Sequence, residues 1–134
     1  MIFVDHSYLL ALVNSTDPNC EEAHDLLAFQ TPREIWVTTH LQIGRLWDRL
    51  AEHVDAIQRR RVLATIAAAR QLKILPISGA QQAEANALLA DVFAKPPDSY
   101  ADATTLLVAR GLGIDRILAF ADGFDRFGLK RERG

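Results

Sequence analysis

A single cysteine, Cys20, is all the thiol chemistry that the 134 residues carry. It excludes an internal disulfide and a multi-cysteine zinc site, and the four histidines show no ligand spacing such as His-x-x-x-His. A metal, if one is used, must be held by oxygen. No run approaches the roughly 18 to 20 apolar residues needed to cross a bilayer, and the N-terminus has no basic segment followed by an apolar one. The expectation is therefore a cytoplasmic protein with no membrane role. A dominant charge is missing too. Against 15 basic groups stand 17 acidic ones, a net charge of −2, so no global positive field advertises a nucleic acid and such a partner would have to be met by a local patch. No internal repeat, linker or low-complexity segment interrupts the chain.

Hydrophobic residues at 49% and charged residues at 24% are the balance of an ordinary globular protein, and the length fits one compact domain spanning 1–134. The basic residues are lopsided, 12 Arg to 3 Lys, and Ala occurs 20 times. A GC-rich coding sequence produces both biases. Arginine nevertheless offers bidentate contacts to phosphate that lysine does not, which suits an RNA partner without demonstrating one.

Apolar runs ending in acids or threonines alternate with helical patterns. Ile2-Phe3-Val4 reads as a buried strand ending at Asp5, and Tyr8 to Val13 as a helix. Asp17-Pro18 reads as the start of a second helix reaching Phe29, with Asp as N-cap and Glu21 and Glu22 in the first turn. Ile35-Trp36-Val37 is a second strand, and Thr38 or Thr39 caps a helix whose Ile43, Leu46, Trp47, Leu50 and Val54 form a core-facing stripe. Leu41, Arg45, Asp48 and Glu52 lie beside that stripe. Ala56 to Arg70 is helical, Leu72 to Leu75 a third strand, and Ser78 to Gln81 a capping box opening a helix to about Ala94. Ser99-x-x-Asp102 opens another helix ending near Gly111 and Gly113, and Arg116 to Phe120 is a fourth strand, followed by a loop from Ala121 to Gly128 and a short charged tail. Strands alternating with helices imply a parallel sheet covered on both faces.

In such a sheet ligands bind outside the carboxyl ends of the strands, near the point where strand order reverses. Asp5 ends the first strand, Asp102 lies in the first turn of the helix before the fourth, and Asp122 follows the fourth. Converging carboxylates repel one another, and a divalent cation such as Mg²⁺ or Mn²⁺ relieves that repulsion. Taken alone, Asp102 reads as the N3 acid of a capping box and Asp5 as a strand-end turn residue. Their common position at a switch point favours function.

Four fragments, in order, resemble the motifs of the PIN-domain ribonucleases, especially the VapC-type toxins of toxin–antitoxin pairs. They are Ile2-Phe3-Val4-Asp5-x-Ser7, Val37-Thr38-Thr39 with Leu46-Trp47, Ser99-Tyr100-Ala101-Asp102 running on to Ala109-Arg110-Gly111-Leu112-Gly113-Ile114, and Ile117-Leu118-Ala119-Phe120 with Phe124 and Gly128-Leu129. The resemblance covers nearly the whole chain and implies a PIN-like three-layer α/β/α domain with a parallel sheet of four to five strands. It implies that Asp5 and Asp102 hold Mg²⁺ or Mn²⁺ and carry catalysis, and that Ser7 supports Asp5. It also implies an RNA substrate, a VapB-like antitoxin and a homodimer.

Two positions depart from the family pattern. Where the second motif carries a metal-site Glu this chain has Arg45, and where the fourth has Asp directly after the strand's last Phe it has Ala121, with Asp122 one residue later. Asp122, Asp98 and Asp48 are the candidate substitutes, and Ser7, Arg45 and Thr39 the candidate lining residues. The bland alternatives are that Asp48 is a solvated partner of Arg45 and that Arg59-Arg60-Arg61 is a solvated helix face. Two functions compete. One is a metal-dependent endoribonuclease, impaired by Arg45 and Ala121, which requires three or more carboxylates within reach of a metal. The other is a non-catalytic PIN module binding RNA or a partner protein, with the Arg45 guanidinium lying between Asp5 and Asp102.

Overall fold

The computed structural model describes residues 1–30, 33–121 and 123–132. Its elements follow in the order β1 (Ile2–Val4), α1 (His6–Val13), α2 (Cys20–Phe29), β2 (Trp36–Thr39), α3 (His40–Leu50), α4 (Ala56–Ala68), β3 (Leu72–Leu75), α5 (Gly79–Ala90), α6 (Tyr100–Leu112), β4 (Arg116–Leu118), a 3₁₀ turn (Asp125–Phe127) and β5 (Lys130–Arg131). The five strands form one sheet ordered β3-β2-β1-β4-β5, with every pairing parallel. From β1 the chain winds outward through β2 to β3, then returns to place β4 on the other side of β1. The reversal opens a crevice at the carboxyl ends of β1 and β4, where a doubly wound sheet binds its ligands.

Side-chain alternation along β1 sorts the core into two layers. Ile2 and Val4 join Tyr8, Leu9, Leu10, Leu26, Leu46 and Leu50 on the face covered by α1 to α4. Phe3 turns to the opposite face with Val37, Leu106, Ala109, Ile117 and Phe124, beneath α5 and α6. The result is the three-layer α/β/α arrangement with five parallel strands, as the sequence motifs imply.

Local chemistry accounts for most boundaries. The Asp5 side chain caps α1 by accepting from the Ser7 N–H, so that helix begins at His6, two residues before the apolar run from Tyr8. Thr39 caps α3 through the Gln42 N–H, and Ser78 with Gln81 forms a reciprocal capping box on α5. Gly113, at φ 68°, closes α6 in the left-handed conformation that costs glycine little. Several expectations need correction: α3 ends at Leu50, short of Val54, α5 ends at Ala90 rather than about Ala94, and β4 ends at Leu118 rather than Phe120. The second helix starts at Cys20 rather than at Asp17-Pro18, because Asp17 Oδ1 accepts from the Asn19 N–H at 2.8 Å in a turn and does not cap a helix. The second strand runs from Trp36 to Thr39, leaving Ile35 exposed. The charged tail contains β5, whose register on β4 is set by Arg116 opposite Lys130 and Ile117 opposite Arg131.

Candidate functional site

The backbone of β1 ends by donating the Asp5 N–H to Leu118 O at 3.0 Å, which carries the β1–β4 ladder one step beyond the strand. This brings the residues after both strands to one crevice. The Asp5 carboxylate has no exposed surface. Its Oδ2 accepts from the Ser7 N–H at 3.1 Å and from Ser7 Oγ at 2.5 Å, while Oδ1 lies 3.2 Å from His6 Nδ1. Ser7 Oγ also accepts the Phe120 N–H at 2.9 Å, tying the end of β4 to the start of α1. Burial pushes the Asp5 carboxyl up, but the bonds and charge supplied by His6, together with the two Ser7 bonds, more than offset it and hold the group below the ordinary aspartate value.

Gln42, fully buried on α3, links this acid to the second one. Its Oε1 accepts from the His6 backbone N–H at 3.2 Å and lies 2.8 Å from His6 Nδ1. Because Nδ1 faces two acceptors, Asp5 Oδ1 and Gln42 Oε1, that nitrogen carries the hydrogen. The other end of the amide, Nε2, donates to Thr105 Oγ1 at 2.9 Å and to Asp102 Oδ1 at 3.4 Å. A chain of bonds therefore runs Asp5–His6–Gln42–Asp102 across the floor of the crevice.

Asp102 sits in the first turn of α6, where its N–H donates to the N-cap Ser99 Oγ at 3.1 Å. Arg45 reaches it from α3: Nη1 donates to Ser99 Oγ at 2.8 Å and stands 3.6 Å from Asp102 Oδ1. Burial pushes the Asp102 carboxyl up and the Asp5 charge pushes it further. Arg45, Gln42 and Ser99 pull it down, and the balance leaves it above the ordinary value. The rise is thus due first to burial and second to the Asp5 charge, and Arg45 offsets only part of it.

Above this floor lies an open cleft of about 310 Å³, lined by His6, Ser7, Arg45, Arg49, Asp98 and Asp102 together with Asp17, Asn19, Leu10, Phe120 and Ala121. Asp5 lies behind Ser7 and His6. Asp98, exposed, lines the cleft beside Asp102. Thr39 is a buried helix cap and does not line the cleft, and Asp48 is exposed on α3 outside it. Asp122 lies outside the described residues. The Arg45 guanidinium pairs with Asp102 and Ser99; the groups between Asp5 and Asp102 are His6 and Gln42. Sequence reading passed over His6, Gln42, Asp17 and Arg49. Gln42 has one legible signal, since it falls on the Leu46–Leu50 side of α3 as a polar residue in a core-facing stripe.

Among the described residues no group of three His, Cys, Asp or Glu side chains converges as a metal cage. Mg²⁺, however, keeps several waters and is held by one or two carboxylates together with substrate phosphate. Asp5 and Asp102 are hard-oxygen acids of that kind, Asp102 on the cleft wall beside Arg45 and Asp5 behind it with both oxygens hydrogen-bonded.

No protein-family model matches the chain, and no curated protein does so. Solved structures do. VapC20 of Mycobacterium tuberculosis, a toxin that cleaves the sarcin–ricin loop, is 24% identical over 100% of both chains with a TM-score of 0.87. FitAcB of Neisseria gonorrhoeae is 14% identical over 98% of this chain and 96% of its own, with a TM-score of 0.70. VapBC2 of Rickettsia felis, bound to a DNA fragment from its promoter, is 14% identical over 98% of each chain, with a TM-score of 0.67. This likeness is one of fold, and it establishes the PIN-like α/β/α architecture for this chain.

Proposed function

We propose that the chain is a VapC-like toxin of a toxin–antitoxin pair, an endoribonuclease whose dependence on Mg²⁺ or Mn²⁺ is retained but whose affinity for the ion is weakened by Arg45. The observation that carries this reading is the placing of Asp5 and Asp102 at the switch crevice, joined through His6 and Gln42. Asp5 and Asp102 would hold the ion. When bound, such an ion lowers the pKa of a water and neutralises charge on the phosphodiester.

The chain's own residues do the rest. Ser7 fixes the rotamer of Asp5 by bonding it from both the amide and the hydroxyl. Gln42 bonds both His6 and Asp102, and His6 in turn bonds Asp5, so the two acids are tied through one amide. Arg45, 39% exposed, brings a cation to the edge where a phosphate would enter.

An antitoxin belongs to the proposal because the fold neighbours include complexes named for both components. An apolar groove of about 260 Å³ between Leu9, Leu12, Val13, Leu27, Trp36 and Leu72 supports it, since its rim residues Val13 and Leu27 are 41% and 40% exposed. A homodimer is part of the same reading. Among the described residues no helix is long and apolar enough to cross a membrane.

The test is cleavage of RNA, beginning with a stem–loop carrying a sarcin–ricin sequence, in Mg²⁺, in Mn²⁺ and in EDTA. Metal-dependent cleavage is expected, abolished by Asp5→Asn and by Asp102→Asn and kept by Asp115→Asn, an exposed acid at the opposite edge of the sheet. Cleavage that survives EDTA and both substitutions overturns the proposal. A second reading, the non-catalytic module, is favoured by the Arg45–Asp102 pairing, and it gains if no RNA is cut under any condition.

A further inference from the structure

Two arginines on α3 enter the cleft, Arg45 and Arg49, four residues apart and so on the same helix face. They are the residues that α3 contributes to the lining, which makes this wall cationic, while Asp17, Asp98 and Asp102 line the cleft from other segments.

Neither guanidinium is consumed by the protein. Arg45 uses Nη1 for Ser99 and Asp102, and its Nη2 and Nε bond no described residue. Arg49 stands 3.9 Å from Glu52 through Nε, with its side chain 46% exposed against 64% for Glu52, a contact of little strength. The anchoring of Arg45 by Ser99 at 2.8 Å matters most. A guanidinium held at one corner has already lost rotamer freedom, so the entropy cost of binding a ligand through its remaining donors falls.

We infer that Arg45 and Arg49 form a phosphate-binding wall for single-stranded RNA, gripping the phosphodiester backbone from α3. Planar guanidinium groups match phosphate oxygens in pairs, and arginine is suited to such bidentate contacts. In this chain the residue that displaces a family acid at position 45 thus gives back substrate contact where it weakens the hold on metal. The inference rests on the RNA reading above but not on cleavage or on a bound ion.

The experiment measures binding of a 2′-O-methyl RNA oligonucleotide, which resists cleavage, to the whole chain in EDTA over a series of KCl concentrations. Each phosphate contact to single-stranded nucleic acid contributes about 0.7 to the slope of log affinity against log salt. Arg49→Gln should lower that slope by about 0.7 and weaken binding by at least about tenfold, the lower end for one charge-assisted hydrogen bond. Arg45→Lys, which keeps the charge but loses the planar fork, should weaken binding while leaving the slope nearly unchanged. Arg110→Gln, an exposed arginine in the last turn of α6, is the control and should change neither. If Arg49→Gln and Arg110→Gln behave alike, the wall is not where RNA binds and the inference falls while the RNA reading stands. If the unaltered chain does not bind the oligonucleotide at all, the RNA reading itself falls. Equal competition by polyglutamate would show charge alone and overturn phosphate recognition.

Discussion

Arg45 Nη1 stands 3.6 Å from Asp102 Oδ1 and donates to Ser99 Oγ at 2.8 Å. The arginine, on α3, is therefore built into the N-terminus of α6, and it presents a fixed charge to an acid that a divalent cation would also seek. Arg45 pulls the Asp102 carboxyl down, against burial and the Asp5 charge, which together keep it above its ordinary value. The behaviour expected of the protein follows from this partial balance.

Gln42 is the buried joint of the site. Gln42→Leu, close in volume, leaves the His6 backbone N–H and Thr105 Oγ1 without their Gln42 partner, removes one of the two acceptors facing His6 Nδ1 and takes a bond from Asp102. Each buried group left unsatisfied costs about 1–3 kcal/mol, so a loss of about 2–4 kcal/mol in urea unfolding is expected. The Asp102 carboxyl should also rise further. A variant as stable as the native chain would show that the network contributes no net stability.

Ser7 bonds both the Asp5 carboxylate and the Phe120 N–H. Ser7→Ala is expected to destabilise by about 1–3 kcal/mol, while Ser7→Thr, which keeps the hydroxyl, should lose less. Thermal unfolding of the pair separates loss of the hydroxyl from a change of shape.

The two acids act on stability with opposite signs. Asp5 lies below its ordinary value when folded, so its contribution is present above pH 3.8 and is lost as pH falls through the folded value. Asp102 lies above its ordinary value, so the native state binds its proton more tightly, and stability falls as pH rises from 3.8 through the folded value. In EDTA, Asp102→Asn should therefore gain on the native chain as pH rises above 3.8 through the folded Asp102 value, whereas Asp5→Asn should lose on it as pH rises toward 3.8 from below. Urea midpoints across the acid range check both; an Asp102→Asn deficit that grows with pH contradicts the assignment.

The fold was legible where local rules agree with packing. The order of elements, the Ser78 box, the Thr39 cap and the Gly113 stop each follow from residue chemistry that acts within one turn. β5 was not, because two charged residues pair with β4 through backbone bonds that a hydrophobic pattern does not record. At the site, Asp5, Ser7, Arg45 and Asp102 were legible from their motifs. His6 and Gln42 were hidden because their role depends on contacts spanning 36 and 60 residues of sequence. Asp17 reads from the sequence as a helix cap, whereas in the fold it accepts the Asn19 N–H in a turn and lines the cleft.

The central claim is that two acids retain a cation site whose strength Arg45 sets, and calorimetric titration of Mn²⁺ into the unaltered chain and into Arg45→Glu, at equal ionic strength, tests it most directly. The account predicts weak binding by the unaltered chain. It predicts at least about tenfold tighter binding by Arg45→Glu, equivalent to about 1.4 kcal/mol, because the exchange removes a competing charge and adds an oxygen ligand. Tight binding that is the same in both proteins, or no binding in either, would contradict it.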